Sequence, residues 1–239
     1  MRAENILKSL SLAGVEWELV SPNSKQQSKT DEQKKNAFVV PRACAAPTSN
    51  QSILETAKKL SDQDDIIAAI KSFVEHPLYN VAKNTVPPNL VSDNATGLLV
   101  VTDIPSLSDD QTGRILSGIE GELFDKMMTA IGFNREEITI SPLVFWRPAG
   151  GRTPTADELM FCRPFIEKII VRTRAEKILT LGAIAAREIA GAVLPRDHGK
   201  TRVRESDKIT CIPIYKPDFI IANPSVRKDV WEALKQVRN

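Results

Sequence analysis

The chain has 239 residues, room for one large domain or two small ones. With 42% apolar and 26% charged residues it is composed like a soluble globular protein, which excludes a collagenous, disulfide-dense or wholly disordered chain. The net charge of +2 is unevenly spread: residues 1–96 hold 11 basic and 11 acidic side chains, 97–140 hold 3 and 8, and 141–239 hold 18 and 11.

Residues 1–13 fit a short amphipathic helix with Ile6, Leu7, Leu10 and Leu12 on its apolar side. Glu4 and Lys8 interrupt that stretch and no small-residue cleavage site follows, so it does not read as a signal peptide. Residues 21–36 contain no strong hydrophobe and read as a polar linker, so residues 1–50 are expected to be a helix plus a partly disordered tail. Ser52 to Lys71 reads as helical with a break near Ser61–Asp65, where Ser61 can cap a second helix running to Ile70. Residues 76–96, with Pro77, Pro87 and Pro88, read as loop.

From Gly97 onward strands and helices alternate. The run 98–103 is apolar and ends in a polar residue, as a buried parallel strand does at its carboxyl end. A helix over 119–132, with Leu123, Met127, Ala130 and Ile131 on one face, stops at Gly132. Strands follow at 138–144, 177–181 and 209–215. Thr155-x-x-Glu158 is a capping box that opens a helix to about Val171, and further helices span 183–190 and 224–237. This order predicts a three-layer α/β/α domain over residues 51–239, built on a four-stranded, mostly parallel sheet. Ligands of such sheets bind beyond the carboxyl ends of the strands, which singles out residues 102–113, 144–152 and 216–223.

Those segments carry a family resemblance. WRPAGGRTPT (146–155), followed by Cys162-Arg163-Pro164-Phe165, resembles the WRPPGNRTPT form of a motif in the thermophile-type bacterial uracil-DNA glycosylases, also called family 4. DKMMTAIGFNREE (125–137), LTLGAIAAREIAG (179–191) and NPSVRKDVWEALKQV (223–237) resemble other segments of that family in the same order. The resemblance spans Phe73 to Arg238 and implies the family's fold and a role on single- or double-stranded DNA in base-excision repair. Such enzymes flip a uracil out of the duplex and break its glycosidic bond.

The resemblance also shows departures. Where the family has GEAPG, this chain has Thr102-Asp103-Ile104-Pro105-Ser106, so Asp103 stands for the water-activating glutamate, one methylene shorter. Read without the family, Asp103 is a strand-end aspartate that caps a turn. Leu116 aligns with the phenylalanine that stacks on uracil, and by itself reads as ordinary packing. Pro142 takes the place of the asparagine that reads the uracil edge, leaving Ser141 as a partial substitute. Where the family has HPAYLLR, Lys216 replaces the histidine, Ile220 and Ile221 keep the wedge apolar, and Ala222 loses an arginine that Arg227 and Lys228 follow closely. Arg147, Arg152 and Lys200 complete the cationic set expected to meet phosphates, with Arg202 and Arg204 nearby.

Family 4 implies a [4Fe–4S] cluster on four cysteines. Here Phe73-Val74-Glu75-His76 puts His76 at the second ligand position, Trp146 replaces the third, and Cys162 alone matches. The expectation is no iron–sulfur cluster and no metal, with Cys162 a buried apolar residue. Cys44 and Cys211 match nothing, and three cysteines without a CxxC pair point to a reducing compartment and a cytoplasmic location. No stretch approaches the roughly 18 apolar residues of a membrane helix, so no membrane partner is expected, and the chain is expected to be a monomer.

The functional expectation is a glycosylase-like repair protein that keeps DNA binding while uracil excision is impaired or lost. The alternatives are an active glycosylase using Asp103 and Lys216, or a protein–protein interaction module on the same fold.

Overall fold

LLVVT (Leu98–Thr102) forms β1, and all five of its residues are buried. It lies between β2 (Thr139–Pro142) and β3 (Lys177–Leu181), both parallel to it, with Val100 opposite Ile140 on one side and Leu179 on the other. Beyond β3 lie β5 (Thr210–Ile214), parallel, and β4 (Arg202–Val203), antiparallel, giving the order β2-β1-β3-β5-β4. This is a computed structural model, and it describes residues 63–92, 94 and 96–238. The expected helix and linker of residues 1–50, and the Ser61 cap, lie outside the described residues.

Strand side chains alternate between the two faces of the sheet, and each face is covered. Leu99, Val101, Ile178 and Cys211 pack under α1 (Gln63–Ser72), α4 (Ala156–Thr173) and α5 (Ala183–Ala190). Leu98, Val100, Ile140, Leu179, Ile212 and Ile214 pack under α3 (Gly118–Ala130), α6 (Pro217–Ala222) and α7 (Arg227–Arg238). The expected α/β/α sandwich is therefore present.

The sheet has five strands rather than the expected four. The extra one, β4, is two residues long at the edge, and Arg-Val is too short to carry a period. Two helices also went unforeseen: α2 (Leu107–Thr112), opened by a Ser106–Asp109 capping box and closed by Gly113 in the left-handed region, and α6, which starts with Pro217 at its first position. The last helix begins at Arg227, after a 3₁₀ turn over Pro224–Val226. Of the expected apolar face in α3, Met127 and the adjoining Ile131 are buried while Ala130 is exposed; Gly121, Phe124 and Met128 complete the buried side. Phe124 and Met128 reach the strands, while Leu123 stays half-buried at the margin.

Candidate active-site crevice

Three strand ends meet at one glycine. Asp103 follows β1, Gly182 follows β3 and Lys216 lies just past β5. The ladder continues one step beyond the strands, with Asp103 N donating to Leu181 O at 3.2 Å and Gly182 N to Ile214 O at 2.9 Å. Gly182 has φ 109°, and a Cβ there would overlap the Asp103 carboxylate and lie 2.6 Å from Lys216 Cγ. Only glycine fits the backbone and the space, so the carboxylate and the lysine stem close over it from two sides.

Asp103 is 6% exposed. Its Oδ1 accepts from Ala185 N at 2.6 Å, in the first turn of α5. Gly182, the N-cap of that helix, has no side chain, so Asp103 caps α5 from a neighbouring strand. Burial pushes the Asp103 carboxyl above the usual carboxylate range, and the Ala185 amide and Lys216 offset this only in part. Lys216 Nζ also lies 3.3 Å from Asp218 Oδ2, which divides its charge between two carboxylates.

Sequence reading missed Glu120, in the first turn of α3. Burial, then Asp218, push its carboxyl above the usual range, while Lys216 and Arg147 pull it down. Its place in an ordinary amphipathic helix gave no signal; it joins the crevice because α3 packs on α6.

The β2 side is starved of donors. Pro142 lies opposite Thr102 and has no N–H. Leu143 N is engaged with the carbonyls of Thr102 (2.7 Å) and Asp103 (3.2 Å). The buried Ser141 hydroxyl donates to the Pro142 carbonyl at 3.0 Å. Leu116 is buried in the α3 layer with φ 48°, and its carbonyl fills the space where Gly121 lacks a side chain. A leucine in that region stores strain of about 1–3 kcal/mol.

The cationic residues divide. Arg147 Nη1 donates to the Pro105 carbonyl at 2.6 Å, tying the 146–155 loop to the segment after Asp103. Arg152 makes a two-pronged pair with buried Glu158, at 2.6 and 2.8 Å. Arg202 pairs with Asp197, and Arg204 with Glu167 and Asp207. Lys200 and Lys228 are exposed, and Arg227 is half-buried.

The expected wedge needs a correction. Ile220 is 2% exposed and packs in the core with α7, because α6 turns it inward. The outward residues are Phe219 (44%) and Ile221 (40%). Phe219 stacks on Tyr215 with centroids 4.7 Å apart, and Tyr215 on His198 at 4.2 Å.

The positions aligned with cluster ligands do come together, on the opposite face of the sheet from Leu116. His76 stacks on Trp146 with centroids 4.4 Å apart, and its Nε2 lies 3.5 Å from Cys162 Sγ. Among the described residues, no group of three or more His, Cys, Asp or Glu side chains could hold a metal ion.

A mostly parallel sheet covered on both faces, with Asp103, Glu120 and Lys216 gathered near the carboxyl ends of its strands, is the architecture of an α/β protein. The family model of the uracil DNA glycosylase superfamily matches residues 88–237, and the chain belongs to that superfamily. It is 26% identical over 182 residues to the Type-4 uracil-DNA glycosylase of Archaeoglobus fulgidus, which covers 73% of this chain and 90% of the relative. The Type-4 enzyme of Saccharolobus solfataricus is 26% identical over 187 residues (74% and 86%), and that of Pyrobaculum aerophilum 30% over 120 (50% and 60%). No helix among the described residues is long and apolar enough to cross a membrane.

Proposed function

We propose that this chain is a DNA-binding member of the superfamily, acting in base-excision repair, whose crevice admits an unpaired base but excises uracil slowly or not at all. The carrying observation is the donor-poor end of β2, where Pro142 has no N–H and the Ser141 hydroxyl and Leu143 amide are already spent. A pocket built to hydrogen-bond its substrate typically gains four to five decades of discrimination from such groups, about 5–7 kcal/mol. Leu116 adds to the deficit: buried in the core, it offers no ring to stack on a base, a contact worth about 1–3 kcal/mol. Lys216 supplies positive charge for electrons leaving on the base, but Asp218 shares it. Phosphate binding is proposed for the exposed Lys200 and Lys228, with Arg227 next to Lys228 in sequence, and Phe219 and Ile221 as the exposed apolar contacts.

Asp103 supports the second reading, an active glycosylase. One of its oxygens is held by the Ala185 amide, and the other faces Gly182 beside Lys216, where a water could be oriented.

The experiment is a single-turnover cleavage assay on single-stranded and G·U-mismatched uracil DNA, with affinity measured across a salt series. The expected result is salt-dependent binding with cleavage absent or several decades below that of a Type-4 relative. Cleavage at the relative's rate, abolished by Asp103→Asn, establishes the second reading. Absence of DNA binding overturns the proposal and favours an interaction module.

A further inference from the structure

The [4Fe–4S] cluster implied by the resemblance needs four thiolates at one place. Phe73, three residues before His76, stands at the first ligand position, and His76, Trp146 and Cys162 at the other three. All four converge. Phe73 lies 6.0 Å from His76 and 6.2 Å from Trp146, centroid to centroid, and Phe161 and Phe165 close the group at 6.2 and 5.9 Å from Phe73.

The donor set does not fit a cluster. Cys162 is the one thiol of the four, and burial pushes it up to about 12. His76 has no lone pair to offer. Its Nδ1 accepts from Leu78 N at 3.1 Å, so Nε2 carries the proton and donates to the Glu158 carbonyl at 3.2 Å. Trp146 Nε1 donates to Thr85 Oγ1 at 2.9 Å. Every polar atom of these two rings is therefore satisfied inside the protein, and the rings are buried against one another and against Phe161.

We infer that Phe73, His76, Trp146 and Cys162 form a metal-free aromatic staple, which does the mechanical work of a cluster by joining the segment after α1 to α4 and to the 143–155 loop. Three otherwise separate parts of the chain meet there: residues 73–85, residues 145–146 and the first turns of α4. Aromatic burial with edge-to-face and stacked contacts supplies the cohesion that metal–thiolate bonds would otherwise give.

The test uses the full chain purified without oxygen and does not depend on excision activity. The wild type is expected to carry far less than one iron per chain, to lack the broad absorbance near roughly 400 nm of thiolate-bound clusters, and to keep its Tm in the presence of an iron chelator. Phe73→Cys/His76→Cys/Trp146→Cys, which restores four thiols with native Cys162, is expected to take up iron and sulfide on reconstitution and gain that absorbance. Trp146→Ala tests the staple without rebuilding the ligands: a Tm loss of roughly ten degrees is expected, largely recovered by Trp146→Phe. Stoichiometric iron in the wild type, a chelator-sensitive Tm, or a folded triple variant that takes up no iron overturns the inference. So does an unchanged Tm in Trp146→Ala.

Discussion

Glu158 and Asp103 are both buried carboxylates that cap the first turn of a helix, Glu158 from within α4 and Asp103 from the end of β1, and folding shifts them in opposite directions. Glu158 caps α4 in a box with Thr155 and is gripped by both prongs of Arg152. Burial works against its charge, but Arg152 and the Thr155 amide outweigh it and hold the carboxyl below the usual range. Asp103 caps α5 with one oxygen, and burial prevails. The first lies beside the staple, where the polar atoms of His76, Trp146 and the Glu158 carboxylate all have partners. The second belongs to the crevice, where altered positions still hold charge at a cost. A site given over to stability is satisfied; a site under functional demand keeps an expensive group. That contrast is the reason the proposed function is placed in the crevice rather than at Phe73, His76, Trp146 and Cys162.

The largest expected effect is Gly182→Ala. Overlap with Asp103 together with φ 109° is expected to cost about 3 kcal/mol or more, read by chemical denaturation. A neutral result would mean that Asp103 and Lys216 do not close over this glycine. Glu158→Gln comes next, with a loss of about 2 kcal/mol at neutral pH from the charged hydrogen bonds to Arg152 and Thr155. Because the folded carboxyl lies below its unfolded value, that contribution is present above the unfolded value and disappears as pH falls through the folded one. The wild-type and variant stability curves should therefore converge in acid.

Asp103→Asn should move the other way. A carboxyl raised by folding lowers stability as pH climbs past its unfolded value, with the full penalty present above the folded value and none below the unfolded one. The variant keeps an acceptor for Ala185 and sheds the buried charge, so its Tm at pH 7 is expected to equal or exceed that of the wild type, the gain fading in acid. A clear loss of stability would place Asp103 with Glu158 as a structural group. The smallest effect is Lys200→Ala, expected to reduce the salt dependence of DNA binding by about one phosphate contact without touching the fold. An unchanged slope would leave Lys200 a solvated surface charge.

The sheet was legible because its strands are continuous apolar runs bounded by polar residues, and β3 and α5 fall where the pattern puts them. β4, α2 and α6 were not, since two to six residues cannot show a period. Motif order singled out Asp103 and Lys216, and the structure brings the two together at Gly182. Glu120 was invisible because its role comes from the packing of α3 on α6, and the inward turn of Ile220 was invisible because α6 itself was not foreseen. The meeting of Phe73, His76, Trp146 and Cys162 was only implied by family alignment; the ring stack and the hydrogen bonds that engage His76 appear only in three dimensions.

The most direct test compares the single-turnover excision rate of the wild type with that of Pro142→Asn/Lys216→His on a single-stranded uracil oligonucleotide, at matched DNA affinity. Restoring the base-edge amide and the imidazole is expected to raise the rate by about 10²-fold or more from a wild-type value near background. A wild-type rate equal to that of a Type-4 relative, with the double variant no faster, would contradict the account.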